Sequence, residues 1–124
     1  MAANRRPILV VDDDESIVDL VQLTLEVEGY DVVITRDARR ALDLLGTLTP
    51  SLILLDMRMP EMNGWEFIET YRKSTLNQAP IVIMTAGRSS TVAAAETKAD
   101  GSIDKPFDLD HLLTIVRKHR RDDA

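Results

Sequence analysis

A chain of 124 residues is long enough for one domain with a real core, and 44% hydrophobic with 29% charged residues is the balance of a folded protein, not a disordered one. A net charge of −6 with no basic stripe speaks against a general nucleic-acid binder, and the lack of cysteine excludes disulfides, thiol nucleophiles and zinc–thiolate sites. No run has the length of a membrane-spanning helix, and MAANRRP leads straight into a strand-like run instead of a signal-peptide core, so a cytoplasmic, monomeric or weakly dimeric domain is expected.

Ile8-Leu9-Val10-Val11 is apolar at every position, the pattern of a strand buried on both faces, and it runs into Asp12, Asp13, Asp14 and Glu15. Helical spacing follows, with Ile17, Leu20, Val21, Thr24, Leu25 and Val27-Glu28 on one side, and Gly29 stops that helix. Residues 30–35 have a β-branched centre and read as a strand. Asp37 suits the cap of a short helix over 38–45, with Gly46 behind it. Leu52-Ile53-Leu54-Leu55 is the next unbroken apolar run; it meets a lone carboxylate, Asp56, and then a loop from Met59-Pro60 to Gly64. Trp65, Ile68 and Tyr71 fall at helical spacing and predict a helix over 65–73 with an aromatic inner face. Ile81-Val82-Ile83-Met84 is a third apolar run and ends at Thr85. Residues 91–98 form a short Ala-rich helix candidate with Val92 as its single large apolar anchor. A weak strand over 101–104 leads to Lys105-Pro106. Asp108 caps a last helix over 109–119, with Leu112, Leu113, Ile115 and Val116 inward and Arg117, Lys118, Arg120 and Arg121 near its end, where cations suit the dipole. Strand and helix alternate five times without linker or repeat. That pattern means a parallel sheet with helices on both faces, in one domain spanning 1–124 with its core at about 7–119.

Four strand ends carry polar groups: Asp12-Asp13, Asp56, Thr85 and Lys105. In a parallel sheet these ends share one edge, where open α/β sheets keep their working groups. Three crowded carboxylates make a hard oxygen site suited to Mg²⁺, with Mn²⁺ as the alternative. A hydroxyl and an ammonium opposite them can donate to an oxyanion. Together these groups describe phosphoryl transfer to an aspartate. An acid after a strand is often only a helix cap or a solvated turn, and Asp14 and Glu15 read that way. Asp56 resists that reading, because an unpaired carboxylate beside a buried strand is costly. Thr85 and Lys105 taken singly are ordinary surface residues. His111 and His119 read as helix-surface residues, Trp65, Phe67 and Phe107 as packing, and the terminal RKHRRDD as a solvated tail.

The fragments ILVVDDDES, LILLDMRMPEMNG, IVIMTA and DKPF, in this order and spacing, resemble the receiver domain of two-component response regulators over nearly the whole chain. The resemblance implies a flavodoxin-like, doubly wound α/β fold: a five-stranded parallel sheet of order 2-1-3-4-5 with five helices. It implies that Asp56 is the phosphoacceptor. Asp13 would be the direct magnesium ligand, Asp12 would act mainly through water, and the backbone carbonyl of Arg58 would complete the protein's share. Thr85 matches the switch hydroxyl and Lys105 the phosphate-binding lysine, followed in this family often by a cis bond to the proline, here Pro106. The implied partners are a sensor histidine kinase or a histidine phosphotransfer protein, and a downstream protein bound by the helix 4–strand 5–helix 5 face. Neither nucleic acid nor membrane is an expected direct partner. Such a domain is no enzyme towards other substrates and catalyses only its own phosphorylation and dephosphorylation.

The departures from the family pattern bear on output. Ser102 stands three before Lys105, where an aromatic is usual, and the segment between Thr85 and Lys105 is about two residues shorter than usual. Arg58 and Gly87, two beyond Asp56 and Thr85, rim the approach of water to an acyl phosphate in the family. The expectation is that Arg58 shields the phosphoryl group. Phosphorylation is further expected to act mainly by ordering or shifting residues 86–98, the most mobile structured part before phosphorylation, instead of by an aromatic rotamer. One alternative is a receiver-fold interaction module that works without phosphorylation. Another is a magnesium-dependent phosphohydrolase with an Asp nucleophile, although the haloacid-dehalogenase type wants a second Asp where Arg58 stands. A nucleotide-binding fold wants a Gly-rich loop after the first strand, and Asp-Asp-Asp-Glu is there instead. With nothing beyond the last helix, the chain reads as a stand-alone, chemotaxis-regulator-like receiver, the alternative being a receiver whose effector has been removed.

Overall fold

The computed structural model describes residues 6–74, 78–86 and 89–121. Ten elements alternate along them: β1 (Ile8–Val11), α1 (Glu15–Val27), β2 (Val32–Thr35), α2 (Ala38–Leu44), β3 (Leu52–Asp56), α3 (Gly64–Ser74), β4 (Ile81–Ala86), α4 (Ser89–Thr97), β5 (Gly101–Lys105) and α5 (Leu109–His119). The strands pair in parallel in the order β2-β1-β3-β4-β5. This is the expected doubly wound α/β sheet.

Successive side chains of a strand point to opposite faces, so a strand covered on both sides must be apolar throughout. Leu9, Ile53, Leu55 and Ile83 pack with Phe67 and Tyr71 on the face that carries α2, α3 and α4. Ile8, Val10, Leu54 and Met84 pack with Leu25 and Val116 on the face that carries α1 and α5. Two cores thus share one sheet, and their common edge lies where β1, β3, β4 and β5 all end.

Local chemistry sets the helix ends. The Asp14 carboxylate accepts the Ser16 N–H at 2.9 Å and opens α1. Gly29, at φ 92°, closes it: the Gly29 N–H donates to Glu26 O and the Tyr30 N–H to Leu25 O, at 3.0 and 3.1 Å. Tyr30 is spent on that closure, so β2 starts at Val32, not at 30. Asp37 and Asp108 cap α2 and α5 as expected.

Several inner faces differ from the sequence reading. Helix α1 buries the narrow stripe Val18, Val21 and Leu25 and leaves Leu20 and Val27 exposed. In α3 the buried aromatics are Phe67 and Tyr71, with ring centroids 6.2 Å apart, while Trp65 is 39% exposed. In α4 the expected anchor Val92 is 58% exposed, and Ala93 and Thr97 face the sheet in its place. His119 is half-buried, so close over Gly101 that a Cβ there would come within 2.7 Å of its Nε2. The basic end of α5 is likewise docked: Arg117 pairs with Glu28 at 3.2 Å, and Arg120 lies 5.1 Å from the centre of the Tyr30 ring. Among the described residues no helix is long and apolar enough to cross a membrane.

Candidate functional site

The shared edge gathers the polar strand ends. Asp12 follows β1, Asp56 ends β3, Thr85 lies near the end of β4 and Lys105 ends β5. Parallel register brings them level: Asp56 pairs with Met84, and Thr85 with Asp104. Asp12, Asp56 and Thr85 are all buried, at 0%, 6% and 3% exposure, among polar groups that hydrophobic burial alone would not tolerate.

Each buried carboxylate has partners. Asp12 accepts the Asp14 N–H at 2.9 Å on one oxygen and the Lys105 ammonium at 2.6 Å on the other. Asp56 Oδ1 accepts the Arg58 N–H at 3.3 Å and has the Lys105 ammonium at 3.5 Å. Carboxylate oxygens of Asp12, Asp13 and Asp56 lie within 4.8 Å of one another. Burial pushes the Asp56 carboxyl up to about 6 from an ordinary 3.8, with the Asp12 charge adding to it; Lys105 and the Arg58 N–H pull the other way. Three acids against one ammonium leave the cluster short of positive charge. An all-oxygen donor set of this kind fits a hard divalent cation.

The loop after Asp56 is held by close backbone contact. The Gly64 N–H donates to Met57 O at 3.0 Å, and a Cβ on Gly64 would fall 2.8 Å from the Met57 Cα. Only glycine admits that approach, which pins the chain one residue beyond Asp56. Asn63 and Glu66 then start α3 with reciprocal side chain–backbone bonds, both 3.0 Å. The sequence reading missed this capping pair, although the spacing N-x-x-E was there to be read. The Lys105–Pro106 bond is cis, as the resemblance implied. Arg58 is exposed at the rim, and Ser102 is half-buried in β5 opposite Ile83. Gly87, the other expected rim position, lies outside the described residues.

Known proteins agree with this arrangement. Residues 8–117 match the family model of the response regulator receiver domain. Response regulator MprA of Mycolicibacterium vanbaalenii is 38% identical over 112 residues, 89% of this chain and 48% of that protein. The DNA-binding response regulator MtrA of Mycobacterium tuberculosis is 37% identical over 123 residues, 98% of this chain and 53% of that protein. This chain therefore spans about half the length of the curated relatives it matches. Among solved structures, chemotaxis protein CheY4 of Vibrio cholerae superposes with a TM-score of 0.83 at 31% identity, over 93% of this chain and 98% of that one. The receiver domain of NtrX from Brucella abortus does so at 0.83 and 29%, over 90% and 96%. The fold, the sequence match over 8–117 and the acidic edge together make this chain a member of the receiver-domain family of two-component response regulators.

Proposed function

We propose that this chain is a phosphoacceptor in which Asp56 takes a phosphoryl group from the phosphohistidine of a sensor histidine kinase or a histidine phosphotransfer protein. One observation carries the reading. The Asp56 carboxylate is buried at the end of the central strand, within 4.8 Å of two further carboxylates and 3.5 Å from the Lys105 ammonium. An Asp56 oxygen attacks phosphorus, the P–N bond breaks with its electron pair left on the imidazole, and an acyl phosphate forms. Asp12, Asp13, Asp56 and the backbone carbonyl of Arg58 would hold Mg²⁺, or Mn²⁺, with Asp13 as the direct ligand and Asp12 acting mainly through water. When bound, the cation offsets the charge on the phosphoryl oxygens. The Lys105 ammonium and the Thr85 hydroxyl donate to those oxygens.

The acyl phosphate then biases the face formed by α4, β5 and α5 towards a downstream protein. The chain modifies only itself, and hydrolysis at Asp56 resets it. On this reading residues 1–124 are one receiver domain working in the cytoplasm. With a net charge of −6 it makes no direct nucleic-acid contact; the DNA binding in the name of MtrA is that protein's property. Incubation with Mg²⁺ and a small phosphodonor, followed by intact mass, tests the proposal. Wild type gains one phosphoryl group, and neither the EDTA-treated protein nor Asp56→Asn gains any. Unmodified wild type points to a module that works without phosphate, and turnover of unrelated phosphomonoesters points to a hydrolase.

A further inference from the structure

Over its described side chains, 92–97, helix α4 has little that is apolar to hold it: Ala93 and Thr97 turn to the sheet, Ala94 is half-buried and Val92 lies in solvent. The Thr97 hydroxyl bonds back to its own helix, at Ala93 O, 2.7 Å away. A helix this short depends on tertiary contacts, and methyl groups supply few. The C-terminal end adds a cost. Lys98 sits at φ 57°, a left-handed conformation that favours glycine, so that the Ala99 N–H can reach Ala94 O at 3.1 Å.

Polar contacts from α3 add to its seat on the sheet. The Arg72 guanidinium donates to Thr97 O, and to Lys98 O at 2.9 Å. It thus satisfies the carbonyls at the strained turn and sets a cation at the negative end of the α4 dipole. One end of Arg72 is itself fixed, since its carbonyl accepts the Gln78 side-chain amide at 2.8 Å. Two turns earlier on α3, Trp65 Nε1 donates to Glu96 Oε1 at 3.2 Å. Between these two contacts the helices leave an open groove of about 460 Å³, and below it they meet through the core that Ala93 shares with Phe67 and Ile68.

We propose that α4 is latched from α3: Arg72 and, secondarily, Trp65 take the place of an apolar inner face and set how α4 sits on the sheet. Arg72 is a positioning residue, 16 residues along the chain from Asp56 and on another element. The latch belongs to the free chain and does not depend on phosphoryl transfer, so it is tested without phosphodonor or Mg²⁺. Amide hydrogen exchange is compared between wild type, Arg72→Gln and Arg72→Lys. A charged donor on a carbonyl is worth enough that its loss speeds exchange of the α4 amides roughly ten-fold or more. Amides of β1 and β3 keep their wild-type rates in Arg72→Gln, and Arg72→Lys, which keeps the charge but loses the planar fork of the guanidinium, falls between. Trp65, the only tryptophan, reads the second contact: its emission shifts in Glu96→Ala and also, at a distance, in Arg72→Gln. Unchanged α4 exchange in Arg72→Gln overturns the latch. So does faster exchange in α4 matched by equal increases in β1 and β3, since that is general destabilisation.

Discussion

Lys105 Nζ lies 2.6 Å from Asp12 Oδ2 and 3.5 Å from Asp56 Oδ1, so the ammonium belongs to the acid after β1 and only leans towards the acid of β3. The pair spans the ends of β3 and β4 and is nearly dry, with the Lys105 side chain 16% exposed. Asp12 therefore acts on Asp56 twice. Its own charge disfavours ionisation of Asp56, and it holds away the cation that would favour it.

Replacing Asp12 by Asn weakens the grip on Lys105 and removes one carboxylate from the cluster. Divalent-cation affinity is expected to fall roughly 10–100-fold, the usual effect of losing a group that orients or supports a metal site. Phosphorylation at Asp56 slows with it. Titration of Mg²⁺ by calorimetry reads the change, and a wild-type dissociation constant in Asp12→Asn would remove Asp12 from the site.

Asp56 gives the free protein a pH-dependent weakness. Its carboxyl is raised from 3.8 to about 6 in the folded chain. Well below its unfolded value of 3.8 it is neutral folded or unfolded, so nothing is lost. As pH rises the unfolded chain ionises first and stability falls; above 6 the folded state carries the whole burden of the buried charge. Asp56→Asn should therefore stabilise the metal-free protein at pH 7.5 by on the order of 1–3 kcal/mol, an advantage that vanishes near about pH 3 and shrinks when Mg²⁺ is added. Urea denaturation at both pH values checks it; equal shifts at about pH 3 and pH 7.5 would mean that ionisation of Asp56 is not the cause.

Arg58 is exposed at the rim two residues beyond Asp56, with its N–H on the Asp56 carboxylate. A guanidinium there can pair with phosphoryl oxygens and obstruct water in line with the aspartate oxygen. Dephosphorylation of Arg58→Ala is expected to be faster than wild type. A rate equal to or below wild type counts against shielding.

The thin inner face of α4 makes residues 92–99 the expected place of change on phosphorylation. Half-buried Ser102 lacks the apolar area for two distinct packed rotamers. Beryllofluoride with Mg²⁺ should slow amide exchange across α4 more than across β1 or β3. Equal protection with and without the mimic would show that output does not run through this helix.

Much of this was legible in the residues. Unbroken apolar runs identify β1, β3 and β4 because both their faces are covered, and a charge closing such a run marks Asp56. The partner of Lys105 was not legible, because three acids compete for one ammonium and the winner lies 93 positions away. Ile68 and Tyr71 lie inward as their spacing suggests, but Trp65 does not; Gly64 is pressed on Met57 at the start of α3, and Phe67 is the aromatic buried there in place of Trp65. Val92 misled for a related reason. Its size suggests the anchor of α4, whereas the helix turns Ala93 and Thr97 to the sheet and takes polar contacts from α3, which no periodicity within α4 reveals.

Asp56 is the residue proposed to carry the phosphoryl group. An acyl phosphate, unlike a phosphoester or a free carboxylate, is reduced by borohydride to the alcohol, which converts the aspartate to homoserine. Wild-type protein is phosphorylated with a small donor and Mg²⁺, reduced, digested and mapped by mass spectrometry. Homoserine is expected at position 56 alone. Homoserine at Asp12 or Asp13, or aspartate unchanged at all three positions, would contradict it.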